Sequence, residues 1–202
     1  MKIIAIDASR RYGRIARSVE AAASAAESTG AMVERVRLCD LDIRTCTNCH
    51  LCYATGVCKI EDDLPQLAFR ISEANAIIFG IPLRSIRANE TTRAVLDRLA
   101  GYFSDAGQMH LPGLGQKDVP CSPAARRIKR AIVITACRTP EPFASFFGHS
   151  VGPIKSLRAA LDQSGIRTVG SLTLTRGWQS QQNPELEHGQ ACSLGRILAG
   201  KI

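Results

Sequence analysis

Aromatic residues and long apolar runs are scarce in this sequence. Only 5% of the 202 residues are Phe, Trp or Tyr, so the aromatic stacking platforms that bind single-stranded nucleic acids are not expected. No run approaches the roughly 18 apolar residues needed to cross a bilayer, and the densest apolar stretch covers only residues 74–82. Asp7 interrupts the N-terminal apolar segment too early for a secretory signal. We therefore expect a cytoplasmic protein that binds neither nucleic acid nor membranes.

The overall composition is that of an ordinary folded protein. Hydrophobic residues make up 45% and charged residues 22% of the chain, and the length suits a single domain over residues 1–202. The formal net charge is +8, and most of the basic residues are arginines spread over many segments. Such a charge suits an anionic partner, including a small molecule that carries a phosphate.

Apolar, β-rich segments alternate with segments of helical periodicity. Strands are predicted at residues 2–6, 32–38, 76–80, 131–135 and 168–175, and helices from Ile15 to before Gly30, after caps at Asp63 and Asn89, at 152–163 and, briefly, around 194–198. This alternation favours a doubly wound parallel sheet with right-handed crossovers. Ligands of such sheets bind beyond the carboxyl ends of the strands. That rule singles out the loops at residues 7–14, 81–88 and 136–143. A cysteine-rich loop at 39–60 and an irregular segment at 104–127 are predicted insertions.

The first of these loops is basic and leads directly into a helix. It contains Ser9, Arg10, Arg11, Gly13 and Arg14. A helix start offers unpaired N–H groups and the positive end of the helix dipole, and arginine adds forked donors. The glycines of a Walker A loop or of GxGxxG are missing. The loop is therefore interpreted either as a site for a phosphate monoester or as a solvated basic loop.

Cysteine is unusually frequent and is concentrated in one segment. Four of the eight cysteines follow the pattern Cys46-x2-Cys49-x2-Cys52-x5-Cys58, which in a cytoplasmic protein indicates metal or redox chemistry before disulfides. Bacterial ferredoxins end a similar run with Cys-Pro, whereas Lys59 follows here. Structural zinc usually takes two separated cysteine pairs. The spacing favours a 4Fe–4S cluster, with zinc, free thiols or disulfides as alternatives.

Several sequence features together resemble a known family. The opening Ile4-x-Ile6-x-x-Ser9-x-Arg11, the cysteine run, and the later Pro82, Arg93, Asp97 and Arg98 resemble the NADPH-dependent FMN reductase group, and more closely the iron–sulfur flavoproteins of the flavodoxin-like superfamily. The resemblance extends from residue 1 to about residue 175. It implies a flavodoxin-like three-layer α/β sandwich whose five-stranded parallel sheet has the order 2-1-3-4-5. It also implies FMN at the carboxyl edge and a cluster on Cys46, Cys49, Cys52 and Cys58.

Transferred onto this sequence, the family's FMN site falls in the three loops at the carboxyl edge. The implied FMN-binding residues are Ser9, Arg10, Arg11, Gly13, Arg14 and Ile15 in the first loop, Pro82, Leu83, Arg84, Ser85 and Ile86 in the second, and Ala136, Cys137 and Arg138 in the third. The sequence departs from the family pattern at Ala8, Arg10, Arg14-Ile15, Leu83-Arg84 and Ile86. Either arginines have replaced the usual phosphate contacts, or this chain binds flavin weakly or binds another ligand.

The resemblance implies an electron-transfer enzyme. In that interpretation NAD(P)H is the co-substrate, and electrons pass between a reduced nicotinamide or a ferredoxin-type partner, FMN and the 4Fe–4S cluster. No catalytic side chain is singled out, because the flavin performs the hydride chemistry. Arg84 and Arg87 are candidates for steering the nicotinamide dinucleotide, and a homodimer or homotetramer is implied. A non-enzymatic redox sensor and a zinc-stabilised enzyme are the alternatives.

Overall fold

The computed structural model describes residues 1–52, 58–84, 87–103, 129–136, 151–175 and 184–200. Strands and helices alternate along these segments. The strands are β1 (Lys2–Asp7), β2 (Met32–Arg37), β3 (Ala76–Arg84), β4 (Arg87–Ala88), β5 (Lys129–Ala136) and β6 (Ile166–Leu174). The helices are α1 (Arg14–Glu27), α2 (Leu64–Glu73), α3 (Glu90–Phe103), α4 (Val151–Gln163) and α5 (Pro184–Gly200), and a short 3-10 turn covers Leu38–Asp40.

The long strands form one parallel sheet in the spatial order β2-β1-β3-β5-β6. Counted without β4, this is the predicted order 2-1-3-4-5, and the predicted doubly wound sandwich is confirmed. The short strand β4 was not predicted. It pairs antiparallel with the end of β3, with Leu83 opposite Ala88 and Arg84 opposite Arg87.

Both faces of the sheet are covered by helices. Along β1, Ile4 and Ile6 pack towards α2, α3 and α4, whereas Ile3 and Ala5 pack towards α1 and α5. Successive side chains of a strand point to opposite faces, so a strand covered on both sides is apolar throughout. Because helices cover both faces, a ligand can reach the sheet where its strands begin or end.

Helix α1 lies unusually close to the sheet at Gly80 of β3. A Cβ added at Gly80 would lie 2.4 Å from Val19 Cγ2 and 2.8 Å from Ile15 Cγ2, both on α1. The Ala8 N–H donates to the Gly80 carbonyl at 2.9 Å. Gly80 therefore brings the start of α1 and the end of β1 together at the carboxyl edge.

The caps of α2 and α3 test two sequence predictions. Asn89 caps α3 as predicted, because its Oδ1 accepts the Thr92 N–H at 3.0 Å. The cap prediction at Asp63 is wrong in its chemistry. Asp63 precedes α2 but makes no side-chain cap, and the Leu64 N–H donates to Asp62 Oδ1 at 3.1 Å instead. The Asp63 side chain accepts the Asp42 N–H at 2.7 Å.

Two further boundaries differ from the sequence prediction. Strand β3 runs on to Arg84 because its end pairs with β4. The C-terminal helix α5 covers Pro184–Gly200 instead of a short piece around residue 196. Its polar and glycine-containing sequence has weak helical periodicity, and packing against α1 stabilises it. The predicted irregular segment at 104–127 lies outside the described residues. Within the described chain, no helix is both long and apolar enough to span a bilayer.

Candidate functional site

The first loop is held in shape by a buried carboxylate. Asp7 Oδ1 accepts the Ser9 N–H at 2.9 Å and the Ser9 Oγ–H at 2.6 Å. Both residues are at most 8% exposed. A hydroxyl has one hydrogen to donate, so Ser9 uses its hydrogen on Asp7. Asp7 was not predicted to shape the site, although the Asp-x-Ser spacing is typical of a local side-chain turn.

Helix α1 begins beside this loop without a side-chain cap. Gly13 precedes the helix in an extended conformation, no side chain caps the first turn, and no acidic residue lies in it. The first N–H groups of a helix lack intrahelical partners and attract anions. The predicted site residue Ile15 is buried, and its side chain packs against Gly80 of β3. The structure thus provides open backbone donors at the predicted place.

The three arginines of the loop differ in what they contact. Arg10 and Arg11 are exposed, and no hydrogen bond or ion pair joins their side chains to another described residue. Arg14 is largely buried and forms a two-pronged ion pair with Glu187 of α5. Its Nη2 also donates to the Thr175 carbonyl, at the end of β6, at 3.1 Å. Arg14 therefore ties the first loop to the C-terminal helix.

The second and third loops are described only in part. Pro82 is half-buried and Leu83 is buried at the end of β3, where Arg84 pairs with Arg87 across the hairpin. Ala136 ends β5 beside Pro82. These strand ends meet next to the end of β1, as predicted. The candidate residues Ser85, Ile86, Cys137 and Arg138 lie outside the described residues.

A cavity of about 380 Å³ opens where the first loop, the residues after β2 and the start of α3 meet. Its lining residues are Ala8, Arg10, Leu38, Cys39, Leu41, Asn89 and Thr91. The Asn89 side chain donates to the Ala8 carbonyl at 3.0 Å and so fixes α3 to the first loop. Arg10 and Cys39 therefore share one cavity wall, which places the basic loop and the start of the cysteine-rich segment at the same edge.

The backbone between Cys46 and Cys52 adopts a conformation suited to sulfur. Asn48 and His50 have positive φ angles of 52° and 56°, and alternation of this kind makes backbone N–H groups converge, as at many phosphate and iron–sulfur sites. The Asn48 N–H donates to Cys46 Sγ at 3.4 Å. Hydrogen bonds from the Leu51 N–H and the Thr47 side chain lower the pKa of Cys49. This conformation favours the thiolate of Cys49.

The four cysteines are free thiols, and they are not drawn together into a site. Cys52 is buried, Cys49 is exposed, and Cys46 and Cys58 are in between. Among the described residues, no three His, Cys, Asp or Glu side chains form a group that could hold a metal ion. Cys39, outside the pattern, behaves differently, because burial and a hydrogen bond to Asp40 raise its pKa.

The base of the cysteine-rich segment rests on a buried ion pair. Arg98 of α3 donates Nη2–H to Asp62 Oδ1 at 2.9 Å and also pairs with Asp62 Oδ2. Neither side chain is exposed to solvent. Arg98 was identified in the sequence only through the family resemblance. Its partner Asp62 was missed, because nothing in the local sequence links the two residues.

The first part of the chain is similar to a known family. A family model described as NADPH-dependent FMN reductase matches residues 1–85. Residues 1–85 contain the first loop and all four patterned cysteines. Glu187, which pairs with Arg14 of the first loop, and Arg98, which contacts the residues that flank the cysteines, lie beyond this match.

Two curated relatives are similar to this chain over about half of its length. An iron–sulfur flavoprotein of Archaeoglobus fulgidus is 31% identical over 103 residues, which are 50% of this chain and 47% of the relative. One of Methanocaldococcus jannaschii is 30% identical over 99 residues, or 48% of this chain and 51% of the relative. The chain spans about half the length of the curated relatives it matches.

Solved structures extend the likeness of the fold beyond residues 1–85. A flavone reductase superposes with a TM-score of 0.73 at 16% identity, covering 99% of this chain and 62% of the other. An NAD(P)H:quinone oxidoreductase from Methanothermobacter marburgensis gives 0.67 at 19% identity, covering 98% and 95%. A flavodoxin from the domain Archaea gives 0.59 at 13% identity, covering 100% and 98%. The chain therefore has the flavodoxin-like fold.

Proposed function

We propose that the protein is an FMN-dependent oxidoreductase that takes electrons from NAD(P)H and passes them on through an iron–sulfur cluster. One observation carries the proposal. An uncapped helix start with two exposed arginines lies at the same sheet edge as a segment of four patterned cysteines. The family model that matches residues 1–85 and the names of the curated relatives support it.

The first loop fits the phosphate of FMN. A phosphate monoester carries close to two negative charges and several acceptor oxygens, which suit the N–H groups at the start of α1 and the guanidinium groups of Arg10 and Arg11. FMN would supply hydride exchange with the nicotinamide. We place its ring towards Pro82, Leu83 and Ala136, because the ends of β3 and β5 meet there.

The cysteine-rich segment fits a 4Fe–4S cluster by its donor chemistry. Cys46, Cys49, Cys52 and Cys58 would provide the four thiolates, on a backbone whose N–H groups already point at sulfur. Such a cluster would supply one-electron transfer. Structural zinc fits less well, because the cysteines do not form two separated pairs.

The co-substrate and the partners follow from the same interpretation. The paired strand positions of Arg84 and Arg87 bring two basic residues to the edge where a nicotinamide dinucleotide would approach. A ferredoxin-type protein or a small molecule would exchange electrons with the cluster. We also propose a homodimer or homotetramer, in which the cluster of one subunit lies near the flavin of another.

Anaerobic purification with FMN, iron and acid-labile sulfide measured on one sample tests the proposed function. We expect about one FMN and four iron atoms per chain, with NAD(P)H oxidation coupled to flavin reduction. Cys49→Ser is expected to lose most of the iron while FMN stays bound. Cys192→Ser, whose thiol contacts the Ala21 carbonyl on α1, is the matched control and should retain both. A colourless wild-type sample to which added FMN does not bind contradicts the proposal.

Removing the exposed arginines should weaken FMN selectively. We expect the Arg10→Ala/Arg11→Ala variant to bind FMN about tenfold more weakly, because charge-assisted hydrogen bonds to the phosphate are lost. Riboflavin, which has no phosphate, should bind as to the wild type. Fluorescence titration of both flavins measures the difference. An equal loss for the two ligands would show that the first loop does not hold the phosphate.

Glu187 competes with a bound phosphate for Arg14 in this arrangement. Glu187→Gln removes the carboxylate and leaves a side chain of the same shape, so we expect FMN to bind about twofold to fivefold more tightly. Glu185→Gln, on the same exposed turn of α5, removes an equal charge that is not paired with Arg14 and is the matched control. Weaker FMN binding by Glu187→Gln alone would mean that Glu187 holds Arg14 in the position where it helps the phosphate.

A redox-sensing protein without enzymatic activity is the second candidate. Two observations favour it. The Ser9 hydroxyl donates its hydrogen to Asp7, and Arg14 is paired with Glu187. Both would otherwise be available to a phosphate. The two candidates differ in turnover. A sensor would show thiol or cluster oxidation without NAD(P)H consumption, whereas the oxidoreductase consumes NAD(P)H in proportion to its bound FMN.

A further inference from the structure

The residues that flank the four patterned cysteines meet at one buried residue, Arg98. Arg98 Nη1 donates to the Arg44 carbonyl at 3.0 Å, two residues before Cys46. The same guanidinium pairs with both carboxylate oxygens of Asp62, four residues after Cys58. Asp62 in turn accepts the Arg44 N–H at 2.9 Å. Residues 44 and 62, on either side of the four patterned cysteines, are therefore held together at α3.

The burial of this pair suggests a role other than stability. Both side chains are fully shielded from solvent, and desolvating two charges costs so much that an apolar pair of similar volume is often equally stable. An apolar pair could not hydrogen-bond the backbone carbonyl and N–H of Arg44, which Arg98 and Asp62 do here. The geometry thus fixes where the two ends of the segment lie.

The third contact of Arg98 is the sulfur that completes the cysteine pattern. Its guanidinium hydrogen-bonds the Cys58 side chain. Two more buried donors nearby have no partner of good geometry within the described chain: the Nε–H of Arg98 and the hydroxyl of Tyr102, one helical turn further along α3. The Cys58 backbone N–H approaches the Tyr102 hydroxyl oxygen, and the hydrogen of that hydroxyl has no acceptor among the described residues. Donors left unsatisfied in a protein interior are costly, and both belong to side chains that interact with Cys58.

We propose that Arg98 is a positioning residue that closes the cysteine-rich segment and, with Tyr102, donates hydrogen bonds to sulfur at Cys58. This proposal rests on the proposed function, because the accepting sulfur is that of the iron–sulfur cluster. Hydrogen bonds and positive charge next to a cluster stabilise its more negative, reduced form and raise its potential. Arg98 would therefore set both the retention of the cluster and its potential.

Four variants of the full chain separate closure, donation and stability. Arg98→Met removes the contacts that close the base and the donor to Cys58. Arg98→Lys keeps the positive charge but cannot form the two parallel hydrogen bonds of a guanidinium group. The double variant Asp62→Leu/Arg98→Met replaces the ion pair by apolar side chains. Tyr102→Phe removes one donor and leaves the base closed. Arg70→Met on α2, which breaks the more exposed pair with Glu34 of β2, is the matched control.

Amide hydrogen exchange of residues 44–62 in the iron-free chain measures closure. We expect exchange at least tenfold faster in Arg98→Met and in the double variant, and wild-type exchange in Tyr102→Phe and Arg70→Met. In the double variant the melting temperature should approach that of the wild type while exchange stays fast. A segment that exchanges at the wild-type rate in the folded double variant overturns the proposal.

Anaerobic reconstitution measures donation. We expect Arg98→Met to lose iron to a chelator about tenfold faster than the wild type and to have a more negative midpoint potential. Arg98→Lys should be intermediate, and Tyr102→Phe should shift the potential in the same direction by less. Wild-type potentials in all of them overturn the donor role. If the wild type itself takes up no iron, the cluster and the donor role are both wrong, and the exchange data alone decide whether Arg98 closes the segment.

Discussion

Gly195→Ala is expected to lower the free energy of unfolding by about 3 kcal/mol, at the upper end for overpacked sites. A Cβ at Gly195 of α5 would lie 2.1 Å from the Ala22 carbonyl oxygen and 2.9 Å from the Ala22 carbonyl carbon of α1. These are backbone atoms inside a helix, so no side-chain rotation relieves the clash. One of the two helices must move away from the other.

The same helix offers a matched control for Gly195. Nothing lies within 4 Å of a Cβ added at Gly189, so Gly189→Ala should instead raise the stability by about 0.5–1 kcal/mol through helix propensity. Urea denaturation of the two variants measures the opposite signs. If both substitutions change the stability alike, close packing of α5 on α1 is not what requires glycine at residue 195.

Asp62→Ala is expected to cost about 3–5 kcal/mol of unfolding free energy, because it leaves the buried charge of Arg98 without its partner. The substitution also removes the acceptor for the Arg44 and Leu64 N–H groups. Glu34→Ala breaks the partly exposed pairs with Lys2 and Arg70 and should cost under about 1 kcal/mol. Equal losses of unfolding free energy for the two variants would show that burial does not make the Asp62–Arg98 pair more important for stability than an exposed pair.

The pH dependence of stability gives an independent check on Asp62. Burial opposes ionisation of this carboxyl, but hydrogen bonds from Arg98 and from the N–H groups of Arg44 and Leu64 outweigh it, so the pKa of Asp62 is lowered in the folded chain. A lowered pKa gives stability that is present above the unfolded value of roughly 4 and lost as the pH falls through the folded value. Asp62→Asn should therefore flatten the loss of stability below about pH 4. An unchanged acid limb contradicts this account.

Local sequence patterns predicted most of the sheet. Runs such as residues 76–80 and 131–134 are apolar throughout, as is typical of strands covered on both faces, and the alternation with helices predicted parallel strands. The prediction of α5 was poor because Gly189 and Gly195 weaken the helical signal. Only the contact between Gly195 and α1 shows why glycine is needed there. Strand β4 was not predicted, because two residues are too few to show the alternation of apolar and polar side chains that marks a strand.

Local patterns name the residues of the candidate site but not their contacts. The basic loop, the helix start beside it and the cysteine spacing are local features. From the sequence, Ser9 and Arg14 are candidate phosphate donors on equal terms with Arg10 and Arg11. In the structure, Asp7 engages Ser9 and Glu187 engages Arg14, which leaves the two exposed arginines as the better phosphate contacts.

The sequence alone predicted the layered architecture, the basic loop after β1 and the spacing of the four cysteines. Each of these features depends on residues that are close together in the chain. The folded chain decided which charges face each other. Arg98 meets Asp62 across 36 residues and Arg14 meets Glu187 across 173. Such pairings arise from how helices pack on the sheet, and no pattern along the sequence encodes them.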